Sequence, residues 1–212
     1  MSHLSLTRTR IKFCGLTRAE DIDLAVSLGV DALGFVMWPN SKRGLSIEQL
    51  ASLSGRVPAF VTRVGLFVDQ PAEFIERCLP YLDMLQFHGN ETPEECQRYS
   101  LPWMKALRMH EEIDLVYETE RYGLAKALLL DAYRPGVPGG TGETFDWSRI
   151  PAKLAKPVIL AGGLTADNIA DAVRQVEPYA VDVSGGIEAS YGCKDANKMA
   201  SFVRHVALAN AR

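Results

Sequence analysis

Cysteine is scarce in this chain, and its four copies, Cys14, Cys78, Cys96 and Cys193, lie far apart with no CxxC pair. That spacing excludes a zinc ribbon and a disulfide-stapled miniature fold, and it fits thiols kept reduced in a cytoplasmic protein. Long apolar runs are missing too. No stretch approaches the roughly 20 residues that span a bilayer, and the segment from Met1 to Arg8 lacks an apolar core of signal-peptide length, so no membrane partner is expected. An excess of either charge is likewise absent: 23 Lys and Arg face 26 Asp and Glu, scattered along the sequence, for a net charge of -3. Such a balance gives no footprint for a phosphate backbone, so no nucleic acid is expected. Gly139-Gly140-Thr141-Gly142 is followed by no P-loop lysine, which argues against a nucleoside triphosphate.

What is present is a steady alternation. Short runs rich in Val, Ile, Leu and Phe alternate with segments of helical periodicity across all 212 residues. The strands are expected near residues 10–15, 32–38, 62–69, 84–89, 103–109, 126–132, 157–164 and 180–187, with helices filling the intervals. Helix starts are expected at Thr17 with Glu20, at Ser46 with Gln49, and at Thr165 with Asp167, with a further helix near Asp146. The fifth unit is the weakest, because its strand carries Lys105 and Arg108 and its helix, near residues 111–122, is charged and aromatic. About eight strand-helix units without a long insertion match a single-domain (β/α)8 barrel over residues 1–212 better than an open sheet.

Residues two apart in a strand share a face. Lys12 with Cys14, Gln86 with His88, and Asp182 with Ser184 therefore fall on one side, while Phe13, Phe87 and Val183 fall on the other, toward the helices. In a closed barrel the last strand adjoins the first, which predicts an internal ion pair between Asp182 and Lys12. Cys14 and Asp131 each end an apolar strand, where barrels of this kind bind their ligands, and together they read as a base and an acid. Two glycine clusters, Gly162-Gly163 and Gly185-Gly186 after Ser184, follow the seventh and eighth strands, where such barrels frequently hold a phosphate on backbone amides. The cluster at residues 139–142 reads as a mobile lid. Cys78 and Cys96, in helical segments, read as core or surface thiols, and Cys193 as a loop residue without partners.

Taken together the motifs resemble the phosphoribosylanthranilate isomerase family over essentially the whole chain. They are Lys12-Phe13-Cys14-Gly15-Leu16-Thr17, Ser41-Lys42-Arg43, Leu85-Gln86-Phe87-His88-Gly89, Leu129-Leu130-Asp131, Leu160-Ala161-Gly162-Gly163-Leu164 and Val181-Asp182-Val183-Ser184-Gly185-Gly186-Ile187-Glu188. The resemblance implies an Amadori rearrangement of a small phosphosugar, N-(5-phosphoribosyl)anthranilate, in tryptophan biosynthesis, with no metal and no organic cofactor. It implies Cys14 as general base and Asp131 as general acid. Arg43 would hold the anthranilate carboxylate, and Gly162, Gly163, Ser184, Gly185 and Gly186 would hold the phosphate. His88 and Asp182 are further candidates for substrate contact, each with a plain alternative as a satisfied core histidine and an ion-pair partner. The family often has a second serine where this chain has Gly185, a change that removes a hydroxyl but keeps the amide. The chemistry suits the residues: a desolvated carboxyl favours its protonated form, and positive charge from Lys12 and from the substrate's iminium favours a thiolate. Two rivals are the aminoaldose isomerase of the histidine pathway, which Cys14 on the first strand speaks against, and a catalytically silent phosphate-binding barrel. Nothing in the chain fixes an oligomeric state.

Overall fold

A computed structural model describes residues 8–132 and 144–211. The expected lid at residues 139–142 lies outside them. Eight parallel strands close into a barrel in sequence order: β1 (Arg10–Cys14), β2 (Ala32–Val36), β3 (Thr62–Phe67), β4 (Met84–Phe87), β5 (Trp103–Arg108), β6 (Leu128–Asp131), β7 (Val158–Leu160) and β8 (Ala180–Val183). The closing seam pairs β1 with β8, with Lys12 opposite Asp182 and Phe13 opposite Val183.

The pleat divides the side chains into two layers. Val64, Met104, Ala106, Ala127, Leu129, Ile159, Ala161 and Ala180 form a cluster of small and medium residues filling the barrel. The alternate positions, among them Phe13, Phe35, Phe67 and Phe87, are fully buried in the larger outer cluster between sheet and helices. Phe13, Phe87 and Val183 thus pack where the two-residue period places them. Lys105 also points outward, and it is tolerated because its ammonium meets the Glu91 carboxylate at 2.8 Å and the Gly89 carbonyl at 2.8 Å. The charged fifth strand is therefore a true strand with a private partner.

The helices are α1 (Ala19–Ser27), α2 (Ile47–Ser54), α3 (Ala72–Cys78), α4 (Pro93–Cys96), α5 (Leu115–Arg121), α6 (Ile169–Val176) and α7 (Ala196–Asn210). The Ser46 and Gln49 capping box forms as expected. Thr17 does not cap α1: the N-cap is Arg18, and the Thr17 hydroxyl donates instead to the Gly192 carbonyl, a tertiary contact that outcompetes the local one. Helix α6 begins four residues beyond Thr165, because the Asn168 side chain bonds both the Thr165 amide and the Gly163 carbonyl and holds the intervening segment as a loop. Near Asp146 the chain makes only a 3-10 turn, Trp147–Arg149. Strands β7 and β8 stop short of their expected ends, since Gly162 and Gly163 take positive φ and residues 185–187 wind into a 3-10 turn. Beyond that turn β9 (Glu188–Ser190) and β10 (Cys193–Lys194) form a small antiparallel hairpin on the rim. No helix among the described residues is long and apolar enough to cross a membrane.

Candidate active site

All ten residues proposed for the site, Cys14, Arg43, His88, Asp131, Gly162, Gly163, Asp182, Ser184, Gly185 and Gly186, line one cleft of about 450 Å³ at the carboxyl ends of the strands. Cys14 ends β1 and is 4% exposed. One pleat below it, Lys12 makes the expected ion pair with Asp182 across the seam, at 2.6 Å. Burial alone would push the Lys12 ammonium down, but Asp182 and Cys14 outweigh it and the net direction is up, so Lys12 stays charged. Gly34, opposite Cys14 on β2, leaves the room for this pair. A Cβ there would come within 2.7 Å of Cys14 Sγ and 3.0 Å of Lys12 Nζ.

Of the two positive charges expected to favour the thiolate, Lys12 is in place and the substrate's iminium lies outside the substrate-free protein. Burial pushes the Cys14 thiol up, Asp182 adds to that, and Lys12 and Lys194 offset only part of it. In the substrate-free protein the thiol is therefore the favoured form.

Asp131 ends β6 and is nearly as buried as Cys14. Its Oδ1 accepts the Ala132 amide at 2.9 Å, and its Oδ2 lies 3.2 Å from His88 Nε2. That second approach is close in distance but does not make a hydrogen bond, so His88 Nε2 has no hydrogen-bond partner among the described residues. The other ring nitrogen, Nδ1, is 3.1 Å from Gln86 Nε2.

Arg43, from the loop between β2 and α2, reaches the same rim. Its stem passes over Gly15, whose positive φ and missing side chain admit it: a Cβ there would sit 2.5 Å from Arg43 Cδ. The guanidinium does not stand alone. Its Nε and Nη2 donate to the two Glu188 oxygens at 2.7 and 2.6 Å, which holds the Glu188 carboxyl below its ordinary range despite its burial. Glu188 also receives Lys194 Nζ at 2.9 Å, and Lys194 donates further to the carbonyls of Cys14 (2.7 Å) and Ser184 (3.1 Å). All three ammonium hydrogens are engaged, and they tie the ends of β1 and β8 to the hairpin. Sequence reasoning assigned no role to Glu188 or Lys194. The only cue was the glycine turn at Gly192 with opposite charges on either side.

On the side of the two glycine clusters, Gly186 is pressed against the seventh loop so closely that a Cβ would lie 1.9 Å from the Leu164 carbonyl. The two glycine loops thus form one continuous wall beside Ser184. Cys193, expected to lack partners, sits in β10 with its sulfur against the Arg18 guanidinium.

The family model for N-(5'-phosphoribosyl)anthranilate isomerase matches residues 11–205. The chain belongs to the N-(5'-phosphoribosyl)anthranilate isomerase family. The enzyme of that name from Chromohalobacter salexigens is 63% identical over 97% of this chain and 98% of its own. The phosphoribosyl anthranilate isomerase of Thermotoga maritima superposes with a TM-score of 0.86 at 36% identity, over 94% of this chain and 98% of that one. A further structure of the family, solved in complex with reduced 1-(o-carboxyphenylamino)-1-deoxyribulose 5-phosphate, gives a TM-score of 0.83 at 35% identity over the same shares. Family membership and the closed barrel agree.

Proposed function

We propose that Asp131 and Cys14 act as the acid and base of this enzyme. The reaction is that of its family, the isomerisation of N-(5'-phosphoribosyl)anthranilate to its aminoketose in tryptophan biosynthesis. The reading rests on one observation: a buried carboxyl and a buried thiol end two strands of one barrel and line the same cleft.

The Asp131 carboxyl protonates the furanose ring oxygen, the C1'–O bond breaks with its electrons going to that oxygen, and the amine lone pair forms the C=N of a protonated Schiff base. The iminium acidifies the C2' hydrogen, which the Cys14 thiolate removes while the C–H electrons make the enolamine. Ketonisation follows. One proton has entered the sugar from the carboxyl and one has left it to sulfur, so composition is unchanged; sulfur is then back in its thiol form, and the proton that the thiol had shed to solvent is returned from solvent to the carboxylate. Because burial keeps free Cys14 as thiol, the positive charge of the iminium, created only after ring opening, supplies what Lys12 and Lys194 do not, and the thiol then gives its proton to solvent to become the thiolate base.

Arg43 holds the anthranilate carboxylate. Its Nε edge is committed to Glu188, so the carboxylate binds end-on through Nη1 and the second Nη2 hydrogen. The phosphate lies on the amides of the Gly162-Gly163 and Gly185-Gly186 loops with the Ser184 hydroxyl, fixing the opposite end of the substrate. Asp182 acts through Lys12, and His88 through Asp131. One barrel domain carries the whole reaction in the cytoplasm, in keeping with four unpaired thiols. The test is turnover on freshly generated substrate, followed by loss of its fluorescence. Cys14→Ala and Asp131→Asn each lower kcat by at least about 100-fold. Near-normal turnover in both overturns the assignment.

A further inference from the structure

Gln86 is wholly buried inside the barrel, two residues before His88, and its amide is used unevenly. Nε2 faces His88 Nδ1 at 3.1 Å, while Oε1 has no partner among the described residues. Its neighbours across the sheet are Leu66 and Met104, and it lies at the inner wall of the cleft, so a methionine or leucine would pack there without an unpaired carbonyl. The position therefore keeps its amide at a cost to folding.

An amide N–H can only donate, so Nδ1 accepts, and neutral His88 must carry its hydrogen on Nε2. Nε2 in turn stands 3.2 Å from Asp131 Oδ2 and waits slightly off line. The other Asp131 oxygen already receives the Ala132 amide. Arg108 also approaches the histidine, and its Nη2 donates to the His88 carbonyl and not to the ring.

We propose that Gln86 is a positioning residue for the acid step. Its amide fixes His88 in the Nε2–H tautomer, which aims a donor at the oxygen of Asp131 on which negative charge develops as the proton leaves. The inference rests on Asp131 being the acid, and it extends that reading from the carboxyl to the two residues behind it. A donor held in place before the charge appears lowers the barrier without tightening the ground state, so it acts on kcat more than on KM.

The experiment is 15N NMR of the imidazoles of the whole protein above about pH 8, where free imidazole is neutral, with the His88 signals assigned by their loss in His88→Asn. The expected wild-type spectrum has a bare Nδ1 and a protonated Nε2 at His88. Gln86→Met shifts that ring toward a mixture of tautomers and lowers kcat at least about tenfold, with KM changed less than about twofold. A wild-type His88 protonated on Nδ1 overturns the proposal, and this holds even where Gln86→Met does not fold. So does a Gln86→Met protein whose kcat falls while its tautomer is unchanged, since packing alone then accounts for the loss. Full turnover in Asp131→Asn defeats the acid assignment and leaves the tautomer measurement readable, so the two failures are told apart.

Discussion

The two sides of the barrel mouth are built to opposite rules. On the side of β1 and β8 each charge is matched: Lys12 with Asp182, Arg43 with Glu188, and Lys194 with Glu188 and two carbonyls. On the side of β4 and β6 the polar groups are buried but, among the described residues, underused, with Gln86 Oε1 and His88 Nε2 lacking partners and Asp131 held by one firm hydrogen bond. On the proposed assignment, the first side holds still a thiol that must meet a carbon. The second leaves hydrogen-bonding capacity free for a proton that leaves and returns, and a site of this kind gives up stability where it needs freedom.

The largest expected effect breaks the saturated side. Lys12→Met leaves Asp182 charged and buried with no partner, which costs about 3–5 kcal/mol of unfolding free energy. Chemical denaturation measures it, and a cost below about 1 kcal/mol would show that the seam is not held by this pair. Asp131→Asn is the matching change on the open side. Its 100-fold loss of turnover corresponds to about 2.7 kcal/mol of barrier, yet its stability should change by less than about 1 kcal/mol, because among the described residues the Ala132 amide bond is the hydrogen bond at stake. A large stability loss there would erase the contrast between the two sides.

Gly34→Ala sharpens the same comparison by crowding rather than by charge. The new methyl would press on Cys14 Sγ and Lys12 Nζ, costing about 1–3 kcal/mol and moving the thiol off the substrate carbon. Turnover should fall while the His88 resonances stay where they are. A variant with wild-type kcat would mean that the thiol has room to spare.

Much of this arrangement is legible in the sequence because it follows from the strand period. Once Lys12, Cys14, Asp182 and Ser184 share a parity and the barrel closes, the seam pair is forced by register, and it forms. The eight strands are legible for the same reason, each being an apolar run too short for a helix. What escapes is whatever depends on a contact far along the chain. Thr17 reads as a cap until Gly192 comes within reach of its hydroxyl, and Thr165 reads as a helix start until Asn168 folds back on Gly163. The Arg43 guanidinium reads as free until Glu188, 145 positions away, is found on its Nε edge. The thiol's ionisation escapes for another reason: it is a difference between desolvation and nearby charge, and burial decides its sign.

The smallest expected effect lies in the pH dependence of the saturated side. Glu188 loses hydration, which alone would raise its carboxyl, but Arg43 and Lys194 more than reverse this, so its folded value lies below the ordinary one of 4.5. A carboxyl lowered by folding binds fewer protons in the native than in the unfolded state, and its stabilisation is complete above the unfolded value and lost as pH falls through the folded one. Glu188→Gln removes the titration while keeping the shape. The stability difference between wild type and Glu188→Gln, taken from urea midpoints between about pH 3 and pH 7, should therefore be flat above about pH 5 and shrink below about pH 4.5. A difference that stays constant down to the lowest pH would mean that the carboxylate is not what the two cations hold, and the matched network beside β1 and β8 would lose its central member.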